Sequence, residues 1–148
     1  MERLRYQDLT AQDRELVDAA RDACETAYAP YSGVAVGAAL RTGSGIVTGS
    51  NVENAAYGAT VCAERMAVGR ANARGDRRFT AVAVAARGAA LRPDQVISPC
   101  GTCRQVLYEI SATTGADARV LMAAPETDAV TIATVAELLP LPFNALSR

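Results

Sequence analysis

Residues 98–105, Ser98-Pro99-Cys100-Gly101-Thr102-Cys103-Arg104-Gln105, set two thiols two residues apart. That spacing lets neighbouring cysteines hold one metal ion at the mouth of a helix. Upstream, Cys62-Ala63-Glu64-Arg65 adds a third thiol and, two residues after it, a carboxylate. Alone, Cys-x-x-Cys also suits a redox pair, and three thiols allow a disulfide. A redox pair needs no third cysteine followed by Ala-Glu, however, and a structural zinc site closes with a fourth Cys or His. The remaining cysteine, Cys24, falls on an apolar helical stripe and reads as a small core residue. Cys62, Cys100 and Cys103 are therefore the expected ligands of one Zn²⁺, since an all-thiolate set favours zinc over harder ions. Three protein ligands leave the fourth position open for water, which is the catalytic pattern. Glu64, pointed at that position, is the expected catalytic group, taking a proton from water and passing it to a departing group.

Three thiolates on Zn²⁺ carry a net formal charge of −1, which blunts the ion's power to acidify water unless something offsets it. Both ligand stretches are expected at helix N-termini, where the dipole favours anions. Arg65 and Arg104 stand beside ligands and are expected to donate to thiolate sulfurs. The chain contains neither histidine nor lysine, and all 15 basic residues are arginine. Serine–histidine and cysteine–histidine nucleophile pairs, Schiff-base lysines and a P-loop lysine are thereby excluded.

The 148 residues suit one domain with a single core, residues 1–148. Half the residues are apolar, but alanine supplies much of that half, so burial per residue is modest. Stabilisation by a metal or by subunit contacts is expected to make up the difference. A formal charge of −1 and the lack of a basic run argue against nucleic acid or an anionic membrane as partner. No apolar run approaches the roughly 18 residues of a membrane helix, and the N-terminus lacks the apolar region of a secretory signal. A cytoplasmic protein with reduced thiols is expected.

The elements that must position these groups follow from periodicity and punctuation. Thr10 caps an expected helix over residues 10–29, with Leu16, Ala19, Ala20, Ala23, Cys24 and Ala27 at helical spacing and Pro30 ending it. Residues 34–42 and 46–52 read as strands of a hairpin around Gly43-Ser44-Gly45. Residues 51–58 lack a helical period and read as a loop; residues 62–74 read as a helix closed by Gly75. Residues 79–86 are almost wholly apolar, as in a strand buried on both faces. Residues 104–113 continue from the cysteine pair as a helix. Residues 119–123 and 129–133 are strands, and Thr134 opens a capping box with Glu137 for a short last helix. This order gives an α/β fold: a three-layer α-β-α sandwich around one mixed five-stranded sheet.

With these residues in view, the sequence resembles the small cytidine deaminases of the pyrimidine-salvage type. The matching stretches are Ala29-Pro30-Tyr31-Ser32, Val36-Gly37-Ala38-Ala39-Leu40, Gly49-Ser50-Asn51-Val52-Glu53-Asn54-Ala55, Cys62-Ala63-Glu64-Arg65, residues 98–105 and Leu138-Leu139-Pro140-Leu141-Pro142-Phe143. The resemblance implies zinc-dependent hydrolytic deamination of cytidine and deoxycytidine to uridine and deoxyuridine, with ammonia released. It implies that Asn51 and Glu53 hold a sugar hydroxyl, that the backbone at Ala63 and at residues 98–99 contacts the base, and that the enzyme is a homotetramer with shared active sites. Tyr57 and Phe143 match positions at those shared sites. One departure concerns specificity: the family commonly carries Phe, lining the pocket beside the pyrimidine, where this chain has Val34, and a smaller side chain there implies tolerance of bulkier cytosine nucleosides. Deaminases of blasticidin S, a cytosine nucleoside antibiotic, share the zinc motifs and the Leu-Leu-Pro ending. Asn51-Val52-Glu53-Asn54 and Arg65 look more like the cytidine enzymes. Two other classes stay open: a zinc module that merely staples the fold, and a polynucleotide deaminase, although nothing basic or aromatic is arrayed to track a strand.

Overall fold

The computed structural model describes residues 1–144. In chain order it has strand β1 (Glu2–Arg5), helix α1 (Ala11–Ala23), strands β2 (Ala35–Thr42) and β3 (Gly45–Ser50), and helix α2 (Ala63–Ala73). Then follow strand β4 (Phe79–Arg87), helix α3 (Gly101–Thr114), strands β5 (Arg119–Ala123) and β6 (Ala129–Thr134), and helix α4 (Val135–Leu138). One sheet runs in the order β1-β6-β5-β4-β2-β3. Among the described strands only the β4–β5 pair is parallel, and α3 is its crossover.

The sheet therefore has six strands and not the expected five. The missed strand, β1, pairs antiparallel with β6, from Glu2 opposite Ile132 to Arg5 opposite Ala129. As a four-residue edge strand it exposes most of its side chains, so it shows no apolar alternation along the sequence. The first helix is also shorter than expected. It ends at Ala23 and tightens into a 3-10 turn over Cys24–Thr26, and the chain then leaves helical geometry well before Pro30.

Helices cover both faces because β4 alternates two kinds of apolar residue. Val82, Val84 and Ala86 join one core layer with Ala63, Ala67 and Ala71 of α2 and Leu107 of α3. Ala81, Ala83 and Ala85 join the other with Leu16, Val17, Ala20 and Cys24. The α1 layer is lined by alanines and comes very close: a Cβ at Gly37 would lie 2.0 Å from the Ala20 carbonyl oxygen. Gly49 does the same for α2, where a Cβ would lie 2.4 Å from the Ala67 nitrogen and 2.6 Å from the Ala63 carbonyl oxygen. Buried Asp13, in the first turn of α1, receives both Arg119 guanidinium nitrogens at 2.9 and 3.0 Å and ties that helix to β5.

Candidate active site

Cys62 is the N-cap residue of α2 and Cys100 the N-cap residue of α3, with Cys103 in the first turn of the same helix. From these two helix starts the sulfurs of Cys62 and Cys100 face each other. The Cys62 and Cys100 sulfurs are 4.0 Å apart, and all three sulfurs lie within 4.8 Å of one another. A tetrahedral zinc with bonds of about 2.3 Å separates its sulfurs by about 3.8 Å, so the donor set fits that ion in type and spacing. Among the described residues this is the only such grouping of potential ligands. Without a cation, burial pushes the Cys62 and Cys103 thiols up. At Cys100 burial pushes the same way, but hydrogen bonds from the Cys103 N–H and from the Cys103 and Cys62 thiols outweigh it, and that thiol lies below its ordinary range.

Glu64, one residue into α2, is 4% exposed. Burial raises its carboxyl above the usual glutamate range, partly countered by hydrogen bonds from its own backbone and from the Cys103 thiol. A cavity of about 220 Å³ joins these groups to Asn51 and Glu53. Its wall contains Ala63, Cys62, Cys100 and Ser98 and an apolar patch of Val36, Val84 and Ile97, with Thr60 completing the rim.

The stretch expected to be a plain loop is what brings the two halves together. Val52 and Val61 form an antiparallel bridge, with N–H to carbonyl distances of 2.9 Å in both directions. Val52 also bridges Tyr28 in parallel. Glu53 and Cys62 thus stand on two arms of one pinned loop. Asn51 is buried, with its carbonyl oxygen accepting from the Val36 N–H at 2.8 Å and its amide donating to the Val34 carbonyl at 2.9 Å. The Glu53 carboxylate accepts from the Tyr31 N–H at 2.8 Å, the Ser32 N–H at 3.2 Å and the Ser32 hydroxyl. That hydroxyl, followed by the two N–H groups, holds Glu53 below the usual carboxylate range.

Five expected contributors lie outside the wall of this cavity. Val34 is half-buried beneath Gly88 and packs against the core on the α2–α3 side; the valine that lines the cavity is Val36, two residues on. Tyr57 is 84% exposed and lines an adjoining cavity of about 300 Å³ with Tyr31, Ser32, Glu53, Asn54 and Thr60. Arg65 lies on the exposed face of α2 and, among the described residues, makes no hydrogen bond to a cysteine sulfur. Arg104 also donates to no thiolate; it binds the Pro99 carbonyl at 2.8 Å, the Ser98 hydroxyl at 2.9 Å and the Leu138 carbonyl at 2.9 Å, fixing the strap before Cys100. Phe143 is 75% exposed, and Gln105 holds its N–H and carbonyl, both at 2.9 Å. Val84, Ile97 and Thr60 carried no sequence signal: two are ordinary apolar residues and the third an ordinary loop threonine.

The family model described as cytidine and deoxycytidylate deaminase zinc-binding region matches residues 10–115. The chain belongs to this family. It is 44% identical over 135 residues to a cytidine deaminase of Halalkalibacterium halodurans, covering 90% of this chain and 96% of that protein. The crystal structure of a cytidine deaminase from Burkholderia pseudomallei superposes with a TM-score of 0.77 at 40% identity, covering 91% of this chain and all of that one. A blasticidin-S deaminase of Bacillus cereus is 30% identical over 141 residues, 93% of this chain and 96% of that protein. Family membership makes zinc the metal of the Cys62, Cys100 and Cys103 group. Among the described residues no helix is long and apolar enough to cross a membrane.

Proposed function

We propose that this chain, acting as one domain over residues 1–148, hydrolyses cytidine and deoxycytidine to uridine and deoxyuridine and releases ammonia. The observation that carries the reading is the meeting, around one cavity, of a three-thiol group, a buried glutamate and the polar side chains of Asn51 and Glu53. Cys62, Cys100 and Cys103 would hold zinc, whose chemistry there is to acidify a water. Glu64, with its raised carboxyl, takes a proton from that water as the water oxygen adds to C4 of the base. It returns the proton to N3 and carries a second one to the departing amine, so that cytidine and water become uridine and ammonia. The apolar wall of Val36, Val84 and Ile97 receives the ring, the Ala63 backbone and the strap of Ser98 and Pro99 offer groups to its polar edge, and Asn51 and Glu53 take the sugar.

Free nucleosides suit the site better than nucleotides. Among the described residues neither the cavity nor its neighbour is lined by an arginine, and Glu53 stands on their shared wall, so there a phosphate would meet a carboxylate and no cation. The greater identity to cytidine deaminase than to blasticidin-S deaminase supports cytidine as the substrate over the antibiotic. Homotetramer assembly with Tyr57 and Phe143 completing neighbouring sites is part of the proposal; the exposure of both rings, Phe143 being anchored by its backbone, supports it. A cytoplasmic setting fits a site that needs reduced thiols.

The test measures bound metal together with ammonia release from cytidine, deoxycytidine, cytosine, cytidine monophosphate and blasticidin S. One zinc per chain and turnover of the two nucleosides above the other three is the expected result; a metal-loaded protein that releases no ammonia sinks the proposal.

A further inference from the structure

Between Asn51 and Glu53 runs a chain of hydrogen bonds that neither residue makes directly with the other. The Ser32 hydroxyl donates to Glu53 and accepts from the Val34 N–H at 3.0 Å. The Val34 carbonyl in turn accepts from the Asn51 side chain at 2.9 Å. Every polar atom of Ser32 and Val34 on this path is committed, so the proton of the Ser32 hydroxyl has a fixed direction. An ionised carboxylate offers about four acceptor sites. Three at Glu53 are taken, by the Tyr31 N–H, the Ser32 N–H and the Ser32 hydroxyl, which leaves one site for an incoming donor. Asn51, with its carbonyl oxygen on the Val36 N–H and one amide hydrogen on the Val34 carbonyl, keeps its second amide hydrogen. One acceptor site and one donor hydrogen, both with fixed direction, are what a single hydroxyl needs.

We propose that Ser32 is a positioning residue for the reaction, locking Glu53 and Asn51 into one rigid reader of a sugar hydroxyl. It touches neither base nor metal; it acts by removing the freedom that Glu53, on an exposed loop, would otherwise lose only when substrate arrives. The proposal rests on the deaminase reading above and adds to it how the sugar is selected.

Ser32 is exposed, so Ser32→Ala removes the hydroxyl without opening the core. The experiment compares wild type, Ser32→Ala and Ser32→Thr on cytidine and on three analogues lacking the 2′-, 3′- or 5′-hydroxyl. In wild type, one of the three deletions lowers kcat/KM most, and that deletion names the hydroxyl being read. Ser32→Ala is expected to lower kcat/KM for cytidine by about tenfold, mostly through KM, as for loss of a hydrogen bond to a charged group. It should leave the rate for the analogue lacking the read hydroxyl unchanged, and Ser32→Thr should restore the preference. Equal loss on all four substrates would make Ser32 merely structural and overturn the proposal, as would no loss on any. A wild type indifferent to every hydroxyl overturns it while leaving the deaminase reading standing; a wild type inactive on all four overturns both.

Discussion

Replacing the Glu64 carboxyl by an amide changes little in shape and everything in proton transfer. Glu64→Gln is expected to retain zinc, since all three thiols remain, and to lose kcat by about 10²–10⁴-fold, the usual worth of a positioned acid/base; parallel metal analysis and steady-state kinetics check both parts. The cysteines and Glu64 were legible in the sequence because their spacing is set by the helix turns that carry them. Ser32 and Arg104 were less so. Arg104 stands next to a ligand, which suggests a donor to sulfur, yet its guanidinium turns to the Ser98 hydroxyl and the Pro99 and Leu138 carbonyls. Which way a long side chain bends is decided by unpaired carbonyls nearby in space, and a linear sequence does not show these.

At the scale of elements, the site depends on how closely α2 lies on β3. A methyl group at Gly49 would meet backbone atoms of α2 at 2.4 and 2.6 Å, and backbone cannot step aside as a flexible side chain can. Gly49→Ala is expected to cost about 1–3 kcal/mol of stability and to weaken zinc binding, because shifting α2 carries Cys62 away from Cys100; denaturant titration and competition with a chelator measure the two effects. The β2–β3 turn is held from the other side by Asp76, which accepts from the Ser44 hydroxyl at 2.5 Å and the Ser44 N–H at 2.9 Å. The Ser44 hydroxyl, ahead of the Thr42 hydroxyl and the Ser44 N–H, holds the Asp76 carboxyl at about 2, below the ordinary 3.8. A depressed carboxylate contributes stability above its unfolded pKa and loses it as pH falls through the folded one. The turn should therefore weaken between pH 3.8 and about 2, and Asp76→Asn should abolish that dependence in an acid titration followed by NMR. Strands β4 and β5 were legible in the sequence because they are buried and apolar. Strand β1 was not, because a short edge strand is defined by its partner and not by its own side chains.

For the molecule as a whole, the fold class followed from the order of elements, whereas assembly leaves no periodic mark in a single chain. Phe143→Ala should lower kcat/KM by about tenfold or more while leaving the subunit folded; kinetics and circular dichroism on the same sample test this. A further property follows from the first two turns of α3. They carry Cys100 and Cys103 at the start and then Arg104 and Gln105, which grip the Leu138 carbonyl and the Phe143 backbone. The ion and the tail are thus fastened to the same peg. A fluorophore at exposed Leu141 should tumble more freely once EDTA strips the protein, so its anisotropy would serve as a remote gauge of occupancy.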